Sequence, residues 1–455
     1  MNTADKTNSE GDRSPSLVIN VVFFTLLLDL LGFTLILPLL PSLLDQYGQT
    51  EDVVYQSLQS LVDWFRDFIG APSETKYNTV LFGGLISSLF SLLQFLSSPL
   101  TGAASDYYGR RPLMMLTTVG LMSSYALWAV SQSFSMFLLS RVIGGICKGN
   151  VSLCTAIVAD LPCPKARNRG MAMIGVAFSM GFTVGPLIGA YFARRSSMEE
   201  VYLGPALVAL LFSAADLLFI FLMLPETLPK DAKVCSVSSG IQEAKDLLNP
   251  VALFHFSAVT KRKDSPPKDS MENLKVLGLV YFTYLFMFSG LEYTLSFLTH
   301  QRFQYTSMDQ GKMFFFIGIT MAVIQGGYAR RIKPGHQIKT VKLAIMSLIP
   351  SFIMIGLAWN VTMLYCGILL YSFAAAVVVP CLSAQVSEHG SASQKGTVMG
   401  ILRSLGALAR ASGPILASSV YWLAGSESCF VFSSAFFILP LLLLRRQTLS
   451  KDKEE

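Results

Sequence analysis

Residues 21–40 read VVFFTLLLDLLGFTLILPLL, an unbroken apolar run carrying a single charge, Asp29. A hydrocarbon core about 30 Å thick takes about 20 helical residues to cross. Inside lipid the backbone must satisfy its own polar groups, so only helices or closed barrels span it. The run is continuous rather than alternating, which selects the helix. Twelve such segments can be read, at 17–44, 77–100, 112–130, 135–159, 170–193, 202–224, 276–298, 310–328, 340–358, 361–385, 396–420 and 425–444. The expected fold class is an all-α integral membrane protein of twelve transmembrane helices. Of 455 residues only 14% are charged, against about 25% in soluble domains, too few to cover several water-facing surfaces. The first span is too long for a signal-peptide core and reads as retained.

The longest polar insert, 225–275, contains KRKDSPPKD and splits the spans six and six. That division implies two six-helix bundles, 17–224 and 276–444, related by a pseudo-two-fold axis, with tails 1–16 and 445–455. The net charge of +6 does not point to nucleic acid. Lys and Arg concentrate in the segments on the side of the N-terminus, which orients both termini to the cytoplasm. Trp128, Trp359 and Trp422 fall at external helix ends, where indole rings favour the interface. In the external loop 45–76, Val54, Leu58, Leu61, Val62, Phe65, Phe68 and Ile69 recur at helical spacing. The loop reads as an amphipathic helix, resting on the outer leaflet or serving as a lid. Asn360-Val361-Thr362 is a glycosylation sequon too close to the membrane for use. The seven cysteines form no CxxC, and no metal cluster, nucleotide motif or catalytic triad is readable, so no cofactor and no enzymatic activity is expected.

After the second span comes Gly102-Ala103-Ala104-Ser105-Asp106-Tyr107-Tyr108-Gly109-Arg110-Arg111-Pro112. Glycines permit a tight turn, and Asp106 with Arg110 and Arg111 can form charge-assisted bonds across a helix boundary. The first span holds Asp29, Gly32, Pro38 and Pro41; the fourth runs RVIGGICKGNVSLCTAIVAD from Arg141 to Asp160; the fifth carries Gly181, Gly185, Pro186 and Gly189; the sixth exits through Leu224-Pro225-Glu226-Thr227-Leu228. Together these resemble the major facilitator superfamily, and within it the drug:proton antiporters of the tetracycline-resistance type. The family's flanking glycines are replaced by Ala172 and Ala190. The second half, through SGLEYTLSFLTHQRF (289–303) and KGTVMGILRSLGALARASGP (395–414), resembles the vertebrate tetracycline-transporter-like branch, described as transporting organic anions. The resemblance implies that Gly102, Asp106, Gly109, Arg110 and Arg111 form a conformational latch, that Gly181, Gly185, Pro186 and Gly189 form a hinge, and that the acid of the first span takes part in coupling.

Seven ionisable groups lie within spans: Asp29, Arg141, Lys148, Asp216, Glu292, Arg403 and Arg410. Such groups are costly in lipid and usually face a cavity and pair. Counting helical rise puts Asp29 and Arg141 at one depth, roughly 18–21 Å from the cytoplasmic face. Arg410 and Glu292 come out roughly level, and Lys148, Asp216 and Arg403 form a lower layer near roughly 11 Å. On this reading Asp29 and Glu292 carry coupling protons, Arg403, Arg410 and Lys148 bind substrate, and Arg141 and Asp216 pair charges. Phe286, Phe288, Tyr293, Phe297 and Phe314 to Phe316 read first as packing residues. The function implied is a secondary carrier of organic anions or amphipathic drugs, exchanging them for protons by alternating access. Uncoupled or proton-symporting carriage, or a non-transporting scaffold or sensor, are the alternatives. The partners are small organic anions or drugs, protons and the bilayer, for a monomer in the plasma membrane or else an endomembrane such as the nuclear envelope.

Overall fold

The computed structural model describes residues 15–48, 52–69, 75–195, 203–228, 248–260, 267–332, 336–389 and 395–451. The N-terminal tail up to residue 14 and the basic stretch 261–266 of the central insert lie outside the described residues. Every long element is helical: α1 (Pro15–Thr34), α2 (Leu40–Tyr47), α3 (Val53–Ile69), α4 (Thr75–Tyr108), α5 (Arg110–Ala129), α6 (Phe134–Cys147), α7 (Asn150–Ala159), α8 (Pro164–Arg195), α9 (Leu203–Met223), α10 (Lys268–Phe303), α11 (Ser307–Gly327), α12 (Gln337–Gly356), α13 (Val361–His389), α14 (Lys395–Ala435) and α15 (Ile438–Lys451). Among the described residues nine helical segments are long and apolar enough to cross a membrane. The last of these, Val398–Arg445, has 48 residues, about 70 Å at 1.5 Å per residue and more than twice one crossing. It breaks at Gly425, whose φ of 81° only glycine adopts without strain.

Two spans read as continuous are interrupted. The first leaves helical geometry after Thr34 and resumes as α2 with a proline in its first turn, because a proline inside a helix removes a backbone bond and crowds the preceding turn. The fourth breaks at Lys148-Gly149, between α6 and α7. The carbonyls freed there are taken by α4: Gln94 Nε2 donates to the Lys148 carbonyl at 3.3 Å and Ser97 Oγ to that of Gly145 at 3.4 Å. In an apolar medium a helix break persists only with such compensation.

Helices α1 to α9 pack among themselves, α1 on α8 and α9 and α5 on α6 and α9; α10 to α15 form a second group, α12 on α13 and α10 on α14. The groups meet along α4 with α14 and along α8 with α11. Small residues let these backbones close up. A methyl on Gly84 would overlap Ser418, and one on Gly318 would overlap Thr183.

Helix α3 is fastened to the mouth of the first group. Its N-cap, Asp52, accepts Val54 N at 2.9 Å and Tyr55 N at 3.1 Å. The same carboxylate accepts Ser135 N at 3.1 Å and Ser135 Oγ at 2.8 Å, so one anion caps the start of α3 and of α6. The Tyr55 ring then meets Phe134 edge to face at 5.2 Å and lies tilted against Phe82 at 4.7 Å. Trp64, Leu61 and Val53 stay exposed. Trp128 and Trp422 are buried inside the protein while Trp359 is 78% exposed, so only Trp359 suits an interfacial indole. Trp128 is instead drawn inward beneath Arg141, whose guanidinium carbon is 5.1 Å from its ring centroid. Asn360, the sequon residue, caps α13 by accepting Met363 N at 2.8 Å.

Partial burial raises the Asp52 pKa, but the bonds from Ser135, Tyr55 and Val54 outweigh it and hold the carboxyl below the usual aspartate range. A depressed folded pKa contributes stability that is complete above the unfolded value and lost as pH falls through the folded one. Asp52→Ala removes a cap worth about 1 kcal/mol, so amide exchange in the first turn of α3 accelerates about fivefold in hydrogen-exchange mass spectrometry. In the wild type, corrected for intrinsic exchange, the same protection fades only below about pH 4. Wild-type protection in Asp52→Ala would show that Asp52 does not clasp the two helices.

Candidate functional site

The break between α6 and α7 turns Lys148 toward α1. Its Nζ lies 2.7 Å from both Asp29 carboxylate oxygens, and the two side chains are 3% and 2% exposed. The Phe33 ring covers the ammonium, its centroid 4.6 Å from Nζ. A buried lysine and carboxylate are tolerable only when each answers the other. Lys148, read from sequence as a substrate anchor, is therefore occupied by Asp29. Helical rise places the two in layers about 7 Å apart; a broken helix and a long side chain bridge that difference.

Asp29 and Arg141, level in depth, do not pair among the described residues. Arg141 lies between Trp128 and Phe137, at 5.1 and 5.5 Å from their centroids, and its Nε donates to Ser140 Oγ at 3.3 Å. Aromatic faces answer this guanidinium, so the role of Arg141 in charge pairing is corrected to cation–π packing. Asp216, the other residue assigned to charge pairing, is 1% exposed and its Oδ1 has no hydrogen-bond partner. It stands within the field of Asp29 and Lys148, on α9 against α1, and takes no ion pair of its own among the described residues.

In the second group, Tyr371 donates to Glu292 Oε1 at 2.8 Å and stacks on Phe288 with centroids 4.8 Å apart. Arg410, level with Glu292 in depth, faces it electrostatically without a direct ion pair among the described residues, while Tyr371 holds one carboxylate oxygen. Arg403 and Arg410 are seven residues apart on α14, two turns along one face. Between them Gly406 receives the Tyr281 ring, which feels both cations. Neither arginine makes a hydrogen bond or ion pair among the described residues, and Arg403 Nε is buried without a partner. Arg403 also reaches the field of Cys154 on α7, so it looks across to the first group.

At the other charged cluster, Arg110 Nε donates to Asp160 Oδ2 at 2.9 Å. Glu226 accepts Arg110 N at 2.9 Å, Arg111 N at 3.2 Å, and Thr227 N and Leu228 N at 3.0 Å each. One carboxylate thus caps the start of α5, where free N–H groups attract anions, while Arg111 Nη2 donates to the Phe221 carbonyl at 2.6 Å. Gly109 has φ 114°, and a methyl there would run into the Glu226 carboxylate. Gly102 meets nothing nearby, and the Asp106 side chain lies outside the described residues. Asp160 and Glu226 each belong to a motif legible in the sequence; their meeting with Arg110 depends on how the ends of α5, α7 and α9 converge. In α8, Gly181, Gly185 and Gly189 lie against Leu30, Thr34 and Leu35, and Thr34 Oγ1 donates to the Gly181 carbonyl at 2.9 Å. Pro186 sits inside this helix, which runs unbroken from Pro164 to Arg195.

A helical membrane body of two packed groups, with buried charges facing inward, defines an integral membrane carrier. The sequence profile of the Major Facilitator Superfamily matches residues 22–414, and the chain belongs to that family. It is a transport protein and not an enzyme. It is 60% identical to the Major facilitator superfamily domain-containing protein 10 of Homo sapiens, over 94% of this chain and 92% of that one. It is 26% identical to the class D tetracycline resistance protein of Salmonella ordonez, over 87% of each. The crystal structure of the human organic anion transporter MFSD10 (TETRAN) superposes with a TM-score of 0.83 at 59% identity, covering 95% of this chain and 100% of that one.

The latch yields a graded expectation. Asp160→Asn breaks the largely buried Arg110–Asp160 ion pair and lowers stability by about 3 kcal/mol. Glu226→Gln keeps one acceptor oxygen but loses the charge and one of the two accepting oxygens at the helix start, about 1–2 kcal/mol. Thermal unfolding of purified protein in detergent ranks the two, and a larger loss in Glu226→Gln contradicts the assignment.

Proposed function

We propose that this chain is a twelve-span carrier that moves organic anions or amphipathic drugs by alternating access, exchanging them for protons. The spans would be the nine apolar segments with Val398–Arg445 divided at Gly425, together with α5 and α11 of 20 and 21 residues. They form two six-helix bundles, 17–224 and 276–444, around a pseudo-two-fold axis, with both termini in the cytoplasm of a plasma-membrane monomer. The α4–α14 and α8–α11 seams are the surfaces that part and close. The glycine face of α8 at Gly181, Gly185 and Gly189 provides close sliding contact with α1, and the Gly102–Arg111 turn, with Asp106, latches one state.

The observation that carries the substrate class is the pair Arg403 and Arg410, two guanidiniums on one face of α14 without a carboxylate of their own among the described residues. A cation in an apolar protein interior calls for an anion, and the bidentate fork suits a carboxylate. Tyr281, Phe288 and Tyr371 offer aromatic surface beside it. The human relative whose crystal structure superposes on this chain is an organic anion transporter, which agrees with that reading. Proton coupling falls to the buried acids: the Asp29–Lys148–Asp216 cluster in one group and Glu292 in the other.

Arg410→Lys keeps charge and loses the fork. In proteoliposomes it raises the apparent KM about tenfold for a monocarboxylic acid and leaves the matched neutral ester unchanged. Equal effects on acid and ester would make Arg410 a brace for α14 instead of a substrate anchor.

A further inference from the structure

We propose that Asp216 is the site that binds and releases the coupling proton, beside the Asp29–Lys148 ion pair; this rests on the proton-coupled reading above. The geometry carries the assignment. Lys148 gives both oxygens of Asp29 a 2.7 Å contact, so that carboxylate is already neutralised. Asp216 is as deeply buried as Asp29, yet its Oδ1 has no partner. Two carboxylates share one ammonium, and ionising both would leave an uncompensated negative charge in the interior, which costs far more than a proton taken from water.

The surroundings of Asp216 add no second cation. Helix α1 presents Asp29 and Thr25, whose hydroxyl stands close without completing a hydrogen bond. Helix α5 presents Tyr125, α7 presents Cys154, and the α6–α7 break presents Lys148. Helix α8, from Gly170 to Ala190, has no titratable side chain. Arg403 reaches the field of Cys154 from the opposite group. A substrate anion drawn to Arg403 therefore lies near the proton site, on the Cys154 side of the cluster. In the transfer, water gives a proton to Asp216 Oδ1 while the cluster opens to one side, and Oδ1 returns it to water on the other; no other bond forms or breaks.

The test is anion transport in proteoliposomes with an imposed pH gradient. One-to-one coupling sustains about a tenfold concentration ratio per pH unit. Asp216→Asn should sustain no gradient-driven ratio, and any counterflow it retains should be independent of pH. In infrared difference spectra of purified protein, the stretch of a protonated carboxyl should vanish in Asp216→Asn and move in Asp216→Glu, which keeps a titratable acid and also serves if Asp216→Asn fails to fold. A wild-type ratio in Asp216→Asn, an unmoved band in Asp216→Glu, or loss of coupling only in Glu292→Gln overturns the assignment. Absence of any gradient-driven ratio in the wild type instead overturns the proton-coupled reading itself.

Discussion

The interior of this protein is organised by a lysine that reaches its carboxylate only because a helix breaks. Lys148 sits at the end of α6, where the chain leaves helical geometry, and both Asp29 oxygens take its ammonium. Removing two charges from water costs several kcal/mol each, and the pair recovers that only with close geometry. The break in turn needs α4, whose Gln94 and Ser97 donate to its freed carbonyls. Through Asp29, α1 is thereby tied to the α6–α7 break; α1 lies on the glycine face of α8, and α8 packs on α11 across the seam between the groups. A shift at the ion pair has a packed route to the surface that must part during transport. Coupling through such a route requires a two-state element that both ends bias; on the proposed alternating-access reading the α8–α11 seam is that element.

The two charged clusters divide the labour. Arg110, Asp160 and Glu226 tie the ends of α5, α7 and α9 with charge-assisted hydrogen bonds, while Arg111 Nε and Thr227 Oγ1 beside them lack partners. In the interior, Asp216 Oδ1, Arg403 Nε and an Arg141 terminal nitrogen lack hydrogen-bond partners among the described residues. Buried polar groups are ordinarily satisfied, so such exceptions call for a physical reason. On the proposed carrier reading Asp216 and Arg403 keep capacity for a proton and a substrate, because a group already saturated by its neighbours has nothing left for either.

Much of this could be read from residue order, and the limits are instructive. The all-helical membrane class followed from run length alone, and the family from motif spacing at Gly102–Arg111 and Gly181–Gly189. The amphipathic pattern at 53–69 marked α3, but the double cap by Asp52 joins residues 83 positions apart and has no local signature. Pairing was the weakest inference. Helical rise fixes depth but not azimuth, so it matches Asp29 with Arg141 at its own level, whereas the Lys148 break swings a deeper cation into reach. Tyr371 as the partner of Glu292 was equally hidden, since a tyrosine among many aromatics carries no mark of its neighbour. Trp128 shows the same limit from the other side: its position at a helix end suited the interface, and a cation–π contact with Arg141 took it inward.

The inward organisation of the protein depends on Asp29 and Lys148 acting as one neutral unit. A double-mutant cycle of detergent-solubilised protein tests this directly, with Asp29→Asn, Lys148→Met and the two combined, read by thermal unfolding. Each single change strands a buried charge and should cost about 3–5 kcal/mol. The combined change removes both charges and should cost less than either single change, giving a coupling energy of several kcal/mol. Losses that simply add, as for sites without shared partners, would contradict the pair and with it the route from the ion pair to the seam.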